Sequence, residues 1–213
     1  DSRLAPLEKA IVNHVVELYE LNSGRTLTII WKEVKDFSVY FKTLQQDQNR
    51  NHMIGINSIS ILESRKKDFE FSKPYAFSIS IIKKKKNLAL NQKSYRLGYL
   101  NFTNEQQIFD SARVLFSNIY PVRFTTQYEL DQAIKDNKVD LYFDAMTTNP
   151  KDTSVIWNKV SNYPSDQYGV IFTKNSWSAK ELKPYFDYFI GSTVYFHLLN
   201  RMIGKDAFRG IKK

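Results

Sequence analysis

Arg65 has a side chain that could bind a small anionic ligand. Its guanidinium presents a rigid fork of donors that can pair with a carboxylate through two parallel hydrogen bonds. Acidic residues stand close by in the sequence at Glu63, Asp68 and Glu70. Arg65 could therefore bind the carboxylate of a ligand, or form a structural salt bridge with one of these neighbours.

Three further residues are candidates for ligand contact. Thr103 begins the sequence Thr-Asn-Glu-Gln, which is typical of a helix N-terminus. Because the first turn of a helix has unpaired N–H groups and a positive dipole end, Thr103 could hold an anion or act as an ordinary cap. Asp144 could accept a hydrogen bond from a ligand amine or face solvent. Phe102 could stack over a ligand, although aromatic residues at regular positions usually belong to a core.

The residue types that catalysis usually needs are scarce. The chain has no cysteine, which excludes disulfides, thiolate metal sites and cysteine nucleophiles. Its three histidines, His14, His52 and His197, lie far apart with no acidic or second histidine at ligand spacing. Neither a P-loop nor a G-x-S-x-G sequence occurs. We therefore predict no catalytic residue, no metal site and no cofactor.

The first part of the chain alternates between helical and strand patterns. Apolar residues recur at spacings of three and four over the first helix, namely Leu4, Leu7, Ile11, Val15 and Leu18. Residues 22–24 end this helix, and the β-branched, apolar residues 26–31 predict a strand. A second helical stripe covers 37–44, and strands are predicted at 53–61 and 77–82.

The second part of the chain repeats this alternation. It predicts strands at 95–100, 122–124, 139–143 and 169–172, and helices beginning at 103 and covering 129–136, 182–189 and 195–202. Alternating strands and helices predict an α/β fold with mostly parallel sheets. Because the chain contains two separate runs of this kind, we expect two lobes.

Residues 60–75 resemble the signature of extracellular solute-binding proteins of the polar amino acid ABC-transporter type, which reads roughly T-P-E-R, five residues, then F-S-x-P-Y. Arg65 and the run Phe71-Ser72-Lys73-Pro74-Tyr75 match this signature in type and spacing. Residues 98–103 resemble the Gly-Thr opening of the second lobe in these proteins. With the similar segments 133–141 and 168–176, the resemblance covers most of residues 50–205.

This resemblance implies a two-lobed, periplasmic-binding-protein-like fold of type II. The first lobe would comprise residues 1–82 and 166–213, and the second lobe residues 83–165, with a hinge near 78–87 and 162–169. The implied function is non-catalytic binding of a small, carboxylate-bearing solute between the two lobes, for import or sensing. Arg65 would hold the carboxylate, as the matching arginine does in relatives.

Several positions depart from the pattern of these relatives. Leu62 replaces a threonine, Phe102 replaces the second glycine of the Gly-Thr segment, and Ala145 stands where relatives have an aspartate, with Asp144 one residue earlier. Relatives also begin with a strand, whereas residues 1–6 lead directly into a helix, so we expect the first strand to be missing or replaced. These departures leave open a degenerate solute-binding fold that acts as a regulatory or protein-interaction domain.

The net charge of +9 raises the alternative of a basic nucleic-acid-binding protein. Against it, the aromatic residues fall on core stripes and the lysines do not interleave with them. The densest basic run, residues 83–86, reads as a solvated strand end or connector. Nucleic acid is therefore not the favoured partner.

The resemblance also implies where the chain acts and with what. No apolar stretch approaches the roughly 18 residues that span a membrane. We expect a monomer outside the cytoplasm, periplasmic or extracellular, either free or lipid-tethered, with its signal peptide removed. The expected partners are a small anionic or zwitterionic ligand and a membrane permease or sensor receptor.

Overall fold

The computed structural model describes residues 4–34, 37–46, 52–85, 94–100, 109–110, 112–113, 116, 118–147, 155–159 and 166–204. The chain divides into two compact units. Unit 1 comprises Asp1–Phe77 and Gln167–Lys213, and unit 2 comprises Ser78–Asp166.

The described residues form both helices and strands. The helices are α1 (Ala5–Ser23), α2 (Phe37–Gln46), α3 (Gln127–Lys135), α4 (Trp177–Glu181), α5 (Lys183–Ile190) and α6 (Thr193–Met202). The strands are β1 (Ile54–Gly55), β2 (Phe69–Phe71), β3 (Ala76–Lys85), β4 (Tyr95–Leu100), β5 (Ile119–Phe124), β6 (Leu141–Met146), β7 (Val155–Lys159), β8 (Asp166–Tyr168) and β9 (Ile171–Thr173).

Helix α1 forms as its sequence predicts and supplies one wall of the unit 1 core. Pro6 lies in its first turn, where a missing N–H group costs nothing. Gly24 ends the helix in the left-handed conformation at φ 67° and donates its N–H to the Glu20 carbonyl. The apolar face of α1 packs with α5 and α6 in one core cluster that includes Ile11, Phe186 and Leu198.

The sheet of unit 1 is small and antiparallel. Its three strands run in the order β1-β9-β2, with Ile54 opposite Phe172 and Phe71 opposite Ile171. The predicted strand at 53–61 shortens to β1 and one isolated bridge between Ser60 and Tyr168. No strand precedes α1 in the described residues.

The prediction of a strand at residues 26–31 is wrong. These residues have no regular secondary structure, and the structure pairs them with no strand among the described residues. The Leu27 N–H donates to a Glu20 carboxylate oxygen at 2.6 Å, and Leu27 and Ile29 lie partly buried against the core. Ile30 is 86% exposed. A β-branched, apolar run is thus not enough to form a strand where no neighbouring strand pairs with it.

The sheet of unit 2 is mixed, so the expectation of mostly parallel sheets is wrong. Its strand order is β5-β4-β6-β3-β7, and β8 also pairs with β3. Strand β4 is parallel to β5 and β6, whereas β3 is antiparallel to β6 and β7. The parallel part comes from the strand-helix-strand run that the sequence predicted, and the antiparallel part comes from β3 and β7, which that run does not contain.

Residues 83–85 of the lysine run form the end of β3, which is the strand-end alternative of the prediction. Lys83, Lys84 and Lys85 pair along their backbone with β7, and Lys83 and Lys84 pair also with β6. Lys84 is only 8% exposed. It lies opposite Leu141, two residues beyond Ile82 on the same face, so its aliphatic stem can cover apolar surface.

A charged pair joins the start of β4 to the residue before β6. The Arg96 guanidinium donates from Nε and Nη2 to the two carboxylate oxygens of Asp140, both at 2.9 Å, and the Arg96 N–H donates to the same carboxylate at 2.8 Å. A further bond runs from Arg96 to the Asn137 carbonyl. These hydrogen bonds lower the pKa of Asp140 below its ordinary value.

We expect this pair to make the stability of the chain depend on pH in the acid range. The carboxyl pKa is lower in the folded state, so the pair contributes above the ordinary aspartate pKa of about 4 and is lost as the pH falls through the folded value. Because Arg96 is half-exposed, the contribution is about 1 kcal/mol. Urea unfolding at pH 6 should show Asp140→Asn less stable than wild type, and the difference should shrink at pH 3. The exposed Asp136→Asn change is the control, and a difference that is equal at both pH values would contradict the assignment.

Candidate functional site

Arg65 begins a short 3-10 helix, Arg65–Lys67, just before β2. Its Nη1 donates to the Ser60 carbonyl at 2.8 Å, and the guanidinium lies 4.9 Å from the centre of the Phe41 ring. The side chain is partly buried. Of the acidic neighbours, Glu63 bonds to Lys66 at 2.5 Å. The guanidinium is therefore held over an aromatic face, and its Nη1 is bonded to a backbone carbonyl.

The segment that leads to Arg65 is anchored by a buried carboxylate. Glu8, 5% exposed, accepts hydrogen bonds from the Tyr75 hydroxyl at 2.5 Å and from the Ser58 N–H at 2.7 Å. Ser58 has a left-handed backbone, with φ 51°, which is costly for a residue with a side chain. Glu8 thus holds Ser58 in a conformation that its own preferences oppose.

Burial and the charge of Glu8 raise the pKa of both nearby tyrosines. For Tyr75 burial is the larger cause, followed by Glu8, and the pKa rises well above its ordinary value. Tyr40 shows the same direction for the same two causes. Both hydroxyls are therefore protonated at neutral pH, where Tyr75 donates to Glu8.

The Phe71-Ser72-Lys73-Pro74-Tyr75 run is fixed within unit 1 by hydrogen bonds to distant parts of the chain. Ser72 donates its N–H to the Val170 carbonyl at 2.9 Å, and its hydroxyl accepts from the Val170 N–H at 3.0 Å. The Tyr75 N–H donates to the Tyr168 carbonyl at 2.8 Å, and the Tyr75 carbonyl accepts from the Tyr195 hydroxyl. The spacing between Arg65 and this run thus places the arginine relative to a fixed frame.

Asp144 lies in β6 of unit 2 and is paired within the chain. Its carboxylate accepts a hydrogen bond from the Lys83 ammonium, which also lies 5.6 Å from the centre of the Tyr142 ring. The Lys83 side chain is 13% exposed and that of Asp144 is 31% exposed. The carboxylate predicted to accept from a ligand amine therefore already has a cationic partner.

The sheet register places Asp144 at a particular edge. Leu97 and Gly98 of β4 lie beside Leu141 and Tyr142 of β6 in parallel pairing, which brings Asp144 level with Leu100 at the end of β4. In open α/β sheets, ligands bind beyond the carboxyl ends of parallel strands. Asp144 thus lies at the edge of unit 2 where such a site forms.

The four predicted site residues fall in different places. Arg65 belongs to unit 1 and Asp144 to unit 2. Phe102 and Thr103 lie outside the described residues. All four stay predictions as ligand contacts.

Two residues that matter here were missed by the sequence analysis. Glu8 follows Leu4 by four positions and therefore lies on the apolar face of α1. Lys83 alternates with Ile79 and Ile81 on one face of β3. A charged residue on an apolar stripe is the pattern that could have identified both.

Two kinds of feature are absent from the part of the chain that the structure describes. It contains no group of three or more histidine, cysteine, aspartate or glutamate side chains placed to hold a metal ion. Its helices include none with the length and apolar character needed to cross a bilayer.

Comparison with known proteins identifies the fold. The sequence matches no known protein-family profile and no curated protein significantly. The structure is similar to the arginine-, lysine-, histidine-binding protein ArtJ from Geobacillus stearothermophilus, with 21% identity, a TM-score of 0.64 and 92% of this chain and 86% of that one covered.

Two further solved structures show the same likeness. The amino acid ABC transporter substrate-binding protein AbpA from Streptococcus pneumoniae, bound to L-arginine, has 20% identity and a TM-score of 0.62 over 95% of this chain and 85% of that one. Substrate-binding domain 2 of Lactococcus lactis GlnP has 16% identity and a TM-score of 0.57 over 92% and 84%. The chain therefore has the α/β, periplasmic-binding-protein-like fold of amino acid ABC transporter substrate-binding proteins.

Proposed function

We propose that this chain binds a small, carboxylate-bearing solute without catalysing a reaction, and that Arg65 holds the carboxylate. The observation that carries the proposal is the setting of Arg65. Its guanidinium is partly buried over Phe41 and oriented by the Ser60 carbonyl, on a segment that Glu8 fixes in place. Because the guanidinium is already held in one orientation, its side chain loses little conformational entropy when it binds a carboxylate.

The fold supports the same conclusion from a second direction. Structural relatives with this fold are described as binding arginine, lysine or histidine, all of which carry a carboxylate. For this chain we propose a small anionic or zwitterionic ligand. Thr103 and Phe102 remain proposed contacts because the resemblance places them at the opening of the second lobe.

We further propose that the two compact units are the two lobes expected at 1–82 with 166–213 and at 83–165. The division of the units after Phe77 and after Asp166 supports this assignment, since both points fall within or next to the expected hinge segments. Such a protein would act as a monomer in the periplasm or outside the cell, free or lipid-tethered. It would deliver its ligand to a membrane permease or present it to a sensor receptor.

A thermal-shift screen tests the proposed function. The probes are the twenty amino acids, succinate and other small dicarboxylates, each at millimolar concentration. A ligand present at about 100 times its dissociation constant should stabilise the protein by about 2.7 kcal/mol. We expect at least one carboxylate-bearing probe to raise the melting temperature, whereas the matching amide or alcohol does not. If no carboxylate raises it, the proposed function is wrong.

A second candidate function is a degenerate solute-binding fold that acts as a regulatory or protein-interaction domain. The observation that favours it is the pairing of Asp144 with Lys83, which occupies a polar group at the carboxyl edge of the unit 2 sheet. This candidate predicts an empty thermal-shift screen together with normal two-state unfolding. A single saturable carboxylate ligand would exclude it.

A further inference from the structure

We infer that Lys83 sets the charge preference at the carboxyl edge of the unit 2 sheet by neutralising Asp144, so that a solute group bound at this edge is neutral or anionic rather than cationic. The inference rests on the proposed function and goes beyond it by naming the ligand's charge class. It makes Lys83 a specificity-determining residue.

The register shows why Lys83 reaches Asp144. In the antiparallel pair of β3 and β6, Ile81 lies opposite Asp144 and Lys83 lies opposite Tyr142. Lys83 and Asp144 are therefore diagonal neighbours on one face of the sheet, a separation that a long side chain spans easily. The ammonium reaches the carboxylate while remaining close to the Tyr142 ring.

Burial makes this pairing durable. The Lys83 side chain is 13% exposed, so water would solvate its ammonium poorly if another cation bound Asp144 in its place. A ligand amine that bound Asp144 would have to leave a largely buried ammonium without its carboxylate. Leaving one partner of such a pair unpaired is costly, so a cationic ligand group gains little at this edge.

The position of the pair matters as much as its charge. Asp144 lies level with Leu100, at the carboxyl ends of parallel strands β4 and β6. Lys84, the next lysine, points by register to the opposite face, where it lies beside Leu141. Of the two lysines, Lys83 is thus the one that brings positive charge to the face and edge of the sheet that carry Asp144.

The test compares Lys83→Met with Lys138→Met. Methionine keeps the apolar stem beside Tyr142 and removes the ammonium. Lys138 also belongs to unit 2 and pairs with an aspartate, Asp136, but both side chains are at least half exposed. The two variants therefore make the same change in net charge, and only one of them unpairs Asp144.

Binding of L-arginine and of succinate to wild type and to both variants is measured by isothermal titration calorimetry. We expect Lys83→Met to raise the ratio of L-arginine affinity to succinate affinity about tenfold or more, because close charge pairs at interfaces change the affinity by at least this factor. Lys138→Met should leave the ratio unchanged. Double substitution with Asp144→Asn should remove the gain in L-arginine affinity.

The possible outcomes separate this inference from the proposed function. An unchanged ratio in Lys83→Met, with binding retained, overturns the role of Lys83 and leaves the proposed function in place. If wild type binds neither probe but Lys83→Met binds L-arginine, the charge inference is supported and wild-type solute binding is not. If no variant binds L-arginine, Lys83 does not control access to Asp144 and the inference is wrong.

Discussion

Glu8→Ala should lower the free energy of unfolding by about 2 kcal/mol, because it leaves the Tyr75 hydroxyl without its buried acceptor and leaves the Ser58 N–H with only the Tyr75 oxygen, 3.0 Å away. Each unsatisfied buried donor costs about 1 to 3 kcal/mol. Urea unfolding followed by circular dichroism measures the change. The substitution also removes the group that holds Ser58 in its left-handed conformation, so part of the loss should appear as local disorder before Arg65.

Two controls sharpen this prediction. Glu17→Ala changes an exposed glutamate on the same helix, whose partner is His14, and should cost well under 1 kcal/mol. Ser58→Gly relieves the left-handed strain, so in the Glu8→Ala background it should recover about 1 kcal/mol. Equal losses for Glu8→Ala and Glu17→Ala would show that the buried carboxylate does not anchor this segment.

Gly98→Val should destabilise unit 2 by about 3 kcal/mol through overpacking. A Cβ at position 98 would lie 2.7 Å from a Leu130 methyl, 3.1 Å from a Val139 methyl and 3.3 Å from the Phe124 ring. Leu130 and Val139 are buried and cannot move aside freely. Helix α3 would therefore be pushed away from β4, which thermal unfolding should report as a lower melting temperature.

The matched control for this substitution is Gly191→Ala in unit 1. Its backbone has φ −79°, and its nearest neighbours would lie at ordinary contact distance from an added Cβ, 3.4 Å or more. We expect Gly191→Ala to be close to neutral. Gly98→Val with wild-type stability would mean that α3 does not pack closely on this strand.

The sequence predicted most of the elements because their periodicity is local information. The stripe from Leu4 to Leu18 became α1, and the capping box at Thr126 and Glu129 starts α3, two positions before the predicted helix. The α/β class followed from the alternation of these elements. The resemblance carried by Arg65 and residues 71–75 predicted the periplasmic-binding-protein-like fold, and the likeness to solved structures confirmed it.

What failed depended on partners distant in the sequence. Residues 26–31 have strand-forming side chains, but a strand also needs a neighbour with which to pair, and the structure supplies none among the described residues. The lysine run was predicted to be a solvated strand end or a connector because its charge suggests solvent. Residues 83–85 do form a strand end, but their backbone pairing with β6 and β7 holds them in the sheet and Lys84 is buried, so the expectation of a solvated segment is wrong.

In the candidate site too, local patterns in the sequence could be read, whereas contacts between distant residues could not. Arg65 could be proposed as a ligand contact because a short spacing links it to the signature, whereas Glu8 acts on Ser58 across fifty positions of sequence. The bond between Lys83 and Asp144 spans sixty-one positions. Neither pairing has a local sequence pattern, so the neutralisation of Asp144 by Lys83 could not be predicted from the sequence.

The most direct test of the central claim is calorimetric titration of the best carboxylate from the screen into wild type and Arg65→Ala, with circular dichroism confirming that both are folded. We predict one ligand per chain in wild type. In Arg65→Ala we predict a loss of affinity of at least about thirtyfold, which corresponds to about 2 kcal/mol for a lost charge-assisted, bidentate contact. Equal affinity in the two proteins would contradict the account, because the carboxylate would then be held by some other group than Arg65.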